Sequence, residues 1–383
     1  MDAPSILIAG FSGRALAQSA RRAGYLPLVA DAFGDEDTRA LALASEVVPG
    51  ALQRGFRSKP LLGALSRLAA RAPTPPIGLV LGTGFEDRPA LIAELTRTFT
   101  LIGCAAEAVA AAKDPTRLFA VARDLGIPHP ATDVTPPDSG RGWISKRVGG
   151  TGGTHIARCR ATVAPRAGRY FQREETGEPL SMLGVVGRTS AFAFTRSWLA
   201  PMPRRPFRFG GIAGSVDVEP DIEARLIETG LDLTRALGLV GLVSFDFLVT
   251  DEGPLLIEIN PRPSASLDVL DDESGTLFSA HLAAFETGDP AGVLAQRWQP
   301  RPRAIAYLYA DDGAVTAPAA AWSEWTSDRP RAGTVIPLHA PALTVHAAAA
   351  TPDTAAAEAV HRLGAAKAVL YGQEKSLGKE TPR

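Results

Sequence analysis

A mixed α/β fold, turning to α+β organisation in its later half, is predicted by three features of this 383-residue sequence. The chain opens with "SILIAGFSGRALAQSARRAGYLPLVAD": a strand, a glycine-containing turn, a helix and a second strand ending at Asp31, which is a βαβ pattern. Its middle sets helical stretches against β-rich segments on either side of a glycine-rich loop. Farther on, "GLVSFDFLVTDEGPLLIEIN", residues 241–260, places two apolar strands around the turn formers Asp251-Glu252-Gly253-Pro254.

Composition narrows the class. With 45% hydrophobic and 21% charged residues the chain is an ordinary globular one, long enough for two or three domains. A net charge of -1 without a long basic run excludes a nucleic-acid footprint. No 18-residue apolar stretch exists and "MDAPSILIAGFSGR" lacks the positive start of a signal peptide, so no membrane segment and a cytoplasmic location are expected. Cys104 and Cys159 have no metal spacing and read as small packing residues.

The elements follow in order. Gly10 and Gly13 suit the first turn, but their spacing is not the full G-x-G-x-x-G fingerprint, so they imply strand–helix geometry and no dinucleotide site. "IGLVLGTG" at 77–84 is a further strand ending in a glycine loop, and helix-prone "RPALIAELTRTF" follows. Residues 1 to about 105 thus form an α/β unit whose loops lie at strand ends, where such sheets bind ligands. From Glu107 to Gly126 the pattern is helical, with Asp114-Pro115 marking a start and Gly126 and Pro128 a stop. After the loop "ATDVTPPDSGRG", the stretch "WISKRVGGTGGTHIARC" puts Lys146 on a strand just before four glycines within 149–153, with "THIAR" as the returning strand. Glycine lets backbone N–H groups approach phosphate oxygens closely while a lysine supplies charge, so this arrangement suits a phosphate cover. "GRYFQREETGEPLSMLGVVG" gives two strands and a connection, and "PDIEARLIETGLDLTRALGL" an amphipathic helix. The last hundred residues carry β-like "AIAYLYA" and "ALTVHAAA", an Ala-rich helix and a tail, "EKSLGKETPR", expected to be frayed. No repeat of 20 to 50 residues suggests a solenoid.

The hairpin at 241–260 poses a charge problem. Pairing symmetric about Glu252 sets Asp246 opposite Glu258, and two such charges at about 4 Å and an effective dielectric near 20 repel by roughly 4 kcal/mol. A positive group must sit between them. Asn260 shares the face of Glu258, so Asp246, Glu258 and Asn260 form a hard-oxygen cluster suited to Mg²⁺, which keeps water and phosphate oxygens in its remaining positions. On this reading, removing either acid relieves repulsion and costs no stability.

Lysine is rare: six of the 40 basic residues, with only Lys113 and Lys146 between residues 60 and 366. Sites that keep lysine where arginine dominates are ones where a compact ammonium is needed, chance in an arginine-rich sequence being the alternative. Arg204, Arg205 and Arg208 in "PMPRRPFRFGG" fit either an acidic substrate or a solvated cluster.

The order of these parts resembles the ATP-grasp superfamily over roughly residues 1 to 290, most specifically in "EINPRP", Glu258 to Pro263, twelve residues after Asp246. The resemblance implies an ATP-grasp fold. Its expected divisions are a Rossmann-like pre-domain at 1–105, a small lid at 106–178, a larger catalytic subdomain at 179–290 and a C-terminal α+β extension at 291–383. It assigns Asp246, Glu258 and Asn260 to Mg²⁺ on ATP, and Lys113 and Lys146 to the phosphates. Gly150, Thr151, Gly152 and Gly153 match the loop over the triphosphate, and Gln172, Arg173, Glu174 and Glu175 the hinge that holds adenine. A ribose-binding glutamate is displaced here, since Pro179 stands at its position and Glu178 comes one residue early. Arg262, with Lys146, is the expected catalytic group, steadying a reacting carboxylate or acyl phosphate.

The beginning of the chain and the late "SDRPRAGTVIPLHAPALTV" are similar to a carboligase-like branch related to the tyramine-glutamate ligase of methanofuran and methylofuran assembly in methanogens and methylotrophs. The activity implied is carboxylate–amine ligation through an acyl phosphate, releasing ADP and phosphate, with glutamate ligation in one-carbon cofactor biosynthesis as its finer form. A bicarbonate-phosphorylating carboxylase and a non-catalytic ATP-binding assembly factor are the alternatives. The expected partners are a small-molecule carboxylate and amine, and a homodimer is left open.

Overall fold

A computed structural model describes residues 3–160, 163–164 and 166–372. The tail at 374–383, expected to fray, lies outside the described residues. Four parallel strands, in the order Ala44–Val47, Leu26–Asp31, Ser5–Gly10 and Leu79–Leu81, form the amino-terminal sheet. The helix Arg14–Arg22 packs closely on it, because a Cβ on Gly13 would stand 2.3 Å from Val29 Cγ1. Close approach of helix to strand is the use made of this glycine.

The helical stretch expected over 107–126 is two helices, Ala106–Lys113 and Pro115–Asp124. Pro115 has no N–H to continue the first, and Asp114 caps the second by accepting from the Thr116 and Arg117 amides at 2.8 and 3.3 Å. Lys113 is thereby left at a helix end. A four-stranded antiparallel sheet follows, in the order Thr132–Asp133, Arg169–Arg173, Trp143–Arg147 and Ala157–Arg158. Its last strand is shorter than "THIAR" suggests. Gly152 and Gly153 take φ of 67° and 70°, so the chain turns through Thr154 and His155 before it pairs.

The central sheet has eight strands: Gly253–Asn260, Gly241–Thr250, Glu178–Val186, Ser190–Leu199, Phe209–Gly214, Arg303–Tyr309, Pro341–Ala348 and Thr326–Ser327 in spatial order. The residues after 290 therefore continue this sheet through pairing of Phe209–Gly214 with Arg303–Tyr309, and no break in it falls at the expected boundary. Helix Pro220–Leu237 covers the hairpin's inner face, where Phe245 and Ile259 are fully buried. Among the described residues no helix is long and apolar enough to cross a membrane.

The hairpin pairs Asp246 with Glu258 by an unexpected route. Thr250 pairs with Gly253, so the loop is two residues, Asp251 and Glu252, and a register centred there would misalign the acids. A bulge leaves Ile257 unpaired between the Phe247–Leu256 and Asp246–Glu258 partners and restores the alignment.

Candidate active site

The hairpin acids meet three polar neighbours. Asp246 accepts from the Ser181 hydroxyl at 2.6 Å and from Asn260 Nδ2 at 2.9 Å. Lys113, whose ammonium is buried, donates to Asn260 Oδ1 at 2.9 Å and also to Glu258 Oε1. The positive charge that the facing acids demand is thus the Lys113 ammonium, delivered by the end of helix Ala106–Lys113.

That ammonium divides the two acids. Burial alone would push the Glu258 carboxyl up, but Lys113 and Lys146 outweigh it and hold the group at about 2. Burial, followed by repulsion from Glu258, pushes Asp246 up, with the Ser181 hydrogen bond opposing. The facing acids are therefore unequal: Glu258 is the fixed anion, and Asp246 absorbs the repulsion. Because Glu258 is depressed, its stabilising contribution is present above its ordinary value near 4.5 and is lost as pH falls toward 2. We expect the difference in urea midpoint between the wild type and Glu258→Gln to shrink steadily from pH 5 to pH 3.

Lys146 is 1% exposed. Its ammonium donates to Gln172 Oε1 at 3.3 Å and lies 5.6 Å from the centre of the Tyr170 ring. Burial pulls its pKa down, but Tyr170, Glu258 and Asp246 outweigh that and raise it, so it stays charged. Gln172 also donates to Thr132 Oγ1 at 3.2 Å, which fixes which end of its amide faces the lysine. In the segment expected to serve as the hinge, the Arg173 and Glu174 amides donate to the Ala131 and Gly142 carbonyls at 2.8 and 2.9 Å, and the Glu174 side chain pairs with Arg158.

The glycine loop is clasped on two sides. A Cβ on Gly149 would stand 2.7 Å from the Asp87 amide nitrogen, and one on Gly153 only 1.8 Å from the Phe207 carbonyl oxygen. The Phe209 amide donates to the Gly152 carbonyl at 3.1 Å. Gly153→Ala, which adds a methyl at positive φ into that oxygen, is expected to unclasp the loop and lower ATP turnover about tenfold with little change in thermal midpoint. Steady-state ADP release beside a melting curve measures both.

Three residues of this site carried no sequence signal that singled them out. His155, turned inward against Gly150, borders both a small pocket with Lys113, Tyr170 and Glu258 and the cavity beside Asp246 and Arg262. Burial, with Lys146 and Arg147 adding to it against Glu258, pushes its imidazole down to about 4, so the ring is neutral. Glu86 accepts from Arg262 Nε at 2.5 Å and from the Gly84 amide at 2.7 Å. Burial pushes Glu86 up, but Arg262 and Lys113 more than reverse it. Its place in the loop after a parallel strand, where α/β sheets gather ligands, is the signal that could have found it. Ser181, on the strand beside the hairpin, is the third.

The arginines of "PMPRRPFRFGG" are placed differently from a substrate clamp. Arg208 is buried, forms a two-pronged pair with Asp311 at 2.8 Å and stacks 4.0 Å from the Tyr309 ring centre. Arg204 is exposed at φ 67°, and none of Arg204, Arg205 and Arg208 borders the cavity, to which this segment gives Phe207 and Phe209.

That cavity, about 530 Å³, opens beside Asp246, Glu258, Asn260 and Arg262 and runs between the amino-terminal sheet, the glycine loop and the strands after residue 300. Among the described residues no three His, Cys, Asp or Glu side chains gather into a metal cage. Two carboxylates and an amide oxygen bordering the cleft suit a divalent ion that takes few protein ligands, and Asp246, Glu258 and Asn260 would hold it.

A family model described as the ATP-grasp domain matches residues 112–266. Those residues are an ATP-grasp domain. It contains Lys113, Lys146, the glycine loop and the hairpin acids together. The chain is similar in structure to N5-carboxyaminoimidazole ribonucleotide synthetase from Thermotoga maritima, with a TM-score of 0.64 at 14% identity over 94% of this chain and 98% of that one. It is likewise similar to phosphoribosylglycinamide synthetase from Anaerococcus prevotii, with a TM-score of 0.64 at 12% identity over 97% and 98%. A third likeness is to the biotin carboxylase domain dimer of Hydrogenobacter thermophilus 2-oxoglutarate carboxylase, solved with MgADP, ADP and bicarbonate; here the TM-score is 0.67 at 11% identity over 93% and 88%. No curated protein matches the sequence. The likeness in fold to these structures thus extends over residues before and after 112–266.

Proposed function

We propose that the protein is an ATP-dependent carboxylate–amine ligase that works through an acyl phosphate and releases ADP and phosphate. The observation that carries this reading is the convergence of Lys113 and Lys146 on Asp246, Glu258 and Asn260, which with Gly152 and Gly153 of the clasped glycine loop border a cavity of about 530 Å³. Mg²⁺ held by the hairpin would supply charge neutralisation for the transferring phosphoryl group. Lys146 adds a fixed positive charge from beneath, in a slot already shaped by Gln172 and Tyr170. Arg262, held by Glu86 and also donating to the Pro263 carbonyl at 3.0 Å and to Asn260 Oδ1 at 3.5 Å, borders the cavity, where a substrate carboxylate would be steadied. The glycine loop keeps water from the acyl phosphate.

On the resemblance of its opening and late segments to the carboligase-like branch, we take the acid to be glutamate and the amine to be aromatic, in assembly of a one-carbon cofactor of the methylofuran type. The test is incubation with Mg·ATP, glutamate and tyramine, with and without bicarbonate. A glutamyl amide by mass spectrometry supports the reading. ADP release that requires bicarbonate and ignores amines replaces it with a carboxylase, and nucleotide binding without any ADP release replaces it with an assembly factor.

A further inference from the structure

The oxygens of Asp246, Glu258 and Asn260 are already engaged by the protein. Asp246 Oδ1 accepts from Ser181 at 2.6 Å and Asp246 Oδ2 from Asn260 Nδ2 at 2.9 Å, while Asn260 Oδ1 accepts from Lys113 Nζ at 2.9 Å and from Arg262 Nη2 at 3.5 Å. Glu258 Oε1 accepts from the same Lys113 ammonium, and among the described residues Glu258 Oε2 alone of this set accepts from no protein group. Lys113 therefore bridges two of the three side chains suited to a divalent ion. Such an ion would stand about 2.1 Å from each oxygen it takes, directly against an ammonium hydrogen-bonded to the same pair. One pair of oxygens cannot serve both cations.

The lysine has a second place within reach. It is the last residue of helix Ala106–Lys113, so its flexible stem can turn while the helix stays fixed. It borders a small pocket of about 20 Å³, together with Arg147, Gly149 of the glycine loop, His155, Tyr170 and Glu258. Apart from Lys113 itself, the charged residues around this pocket are Glu258 and Arg147. An ammonium that lets go of Glu258 there gains no new partner from the protein, and a buried charge without a partner is costly. A phosphate oxygen brought beneath the glycine loop would supply that partner.

We propose that Lys113 is an exchangeable counter-ion: it closes the hairpin oxygens to divalent ions in the nucleotide-free protein, and yields them when nucleotide phosphates give its ammonium a new partner. The inference rests on the reading of Asp246, Glu258 and Asn260 as metal ligands, and not on the reaction that follows. Metal and nucleotide then favour each other's binding, because each removes what opposes the other. Without the ammonium, Glu258 loses its partner and is open to the ion, so the metal no longer needs the nucleotide.

The experiment titrates Mn²⁺ into the full chain without nucleotide and follows the free ion by electron paramagnetic resonance. We expect Lys113→Met to bind one Mn²⁺ at least tenfold more tightly than the wild type, and the double variant Lys113→Met/Glu258→Gln to lose that gain. Melting curves give a second readout: without nucleotide, millimolar Mg²⁺ is expected to raise the midpoint of Lys113→Met by about 3 °C and that of the wild type by less than about 1 °C. A Lys113→Met protein that folds only with Mg²⁺ supports the proposal equally, and one that Mg²⁺ does not rescue overturns it. Equal Mn²⁺ affinity in the wild type and Lys113→Met also overturns it; if Glu258→Gln still weakens Mn²⁺ binding in the presence of ADP, the metal ligands stand and only the exchange is lost. A gain that the double variant keeps would place the ion elsewhere and overturn both readings.

Discussion

Glu258→Gln is expected to lose Mg·ATP turnover by roughly two to three orders of magnitude and also to unfold more easily, whereas Asp246→Asn loses turnover and keeps or gains stability. The sequence alone treats the two facing acids as equivalent, each a source of repulsion whose removal is harmless. The structure separates them. Glu258 is the partner of the buried Lys113 ammonium, so its amide variant strands that charge; breaking a largely buried pair in this way costs on the order of 2 kcal/mol. Asp246 is the acid pushed up by burial and by Glu258, so neutralising it removes repulsion while Asn can keep the bond from Ser181. Urea unfolding of both variants without added metal, beside ADP release at limiting Mg²⁺, separates the effects. Equal loss of stability in both would contradict the division of charge described here.

Lys146→Arg is expected to be nearly as damaging as Lys146→Ala, each lowering kcat/KM for ATP about a hundredfold. The side chain occupies a slot that is 1% exposed, bounded by Gln172 and Tyr170, with no room for a planar fork. The guanidinium would displace Gln172 from Thr132 or push through toward Glu258. Steady-state kinetics of both variants, with circular dichroism to show retained folding, measure this. An arginine variant with wild-type ATP affinity would reduce the scarcity of lysine in this chain to composition.

How far these features were legible in the sequence depends on the range of the contact. The facing of Asp246 and Glu258 was readable because alternation and a dense turn signal are local. The route to it was not, since a two-residue loop and a bulge at Ile257 cancel in the count and leave no trace in residue type. Rarity picked out Lys113 and Lys146, but whether an ammonium meets phosphate or carboxylate is decided by where a helix end lies against a hairpin 145 residues away. The same limit hid the Arg208–Asp311 pair, whose members are 103 residues apart, and left the arginine loop open to two readings. Glu86 is a single acid in a loop, without period or motif, and only the packed structure shows that it is paired with Arg262. The inward turn of His155 follows from two glycines at positive φ, a backbone fact that composition suggested and spacing did not direct.

Transfer of the terminal phosphoryl group of Mg·ATP onto a carboxylate leaves ADP and phosphate, whereas an adenylate leaves AMP and pyrophosphate. Phosphorus NMR of a reaction with Mg·ATP, glutamate and an aromatic amine tests it most directly, because it distinguishes the two ways of activating an acid by its products alone. We expect ADP and inorganic phosphate, formed only when both acid and amine are present and absent with Glu258→Gln. AMP and pyrophosphate would mean that an adenylate activates the substrate, and would contradict it.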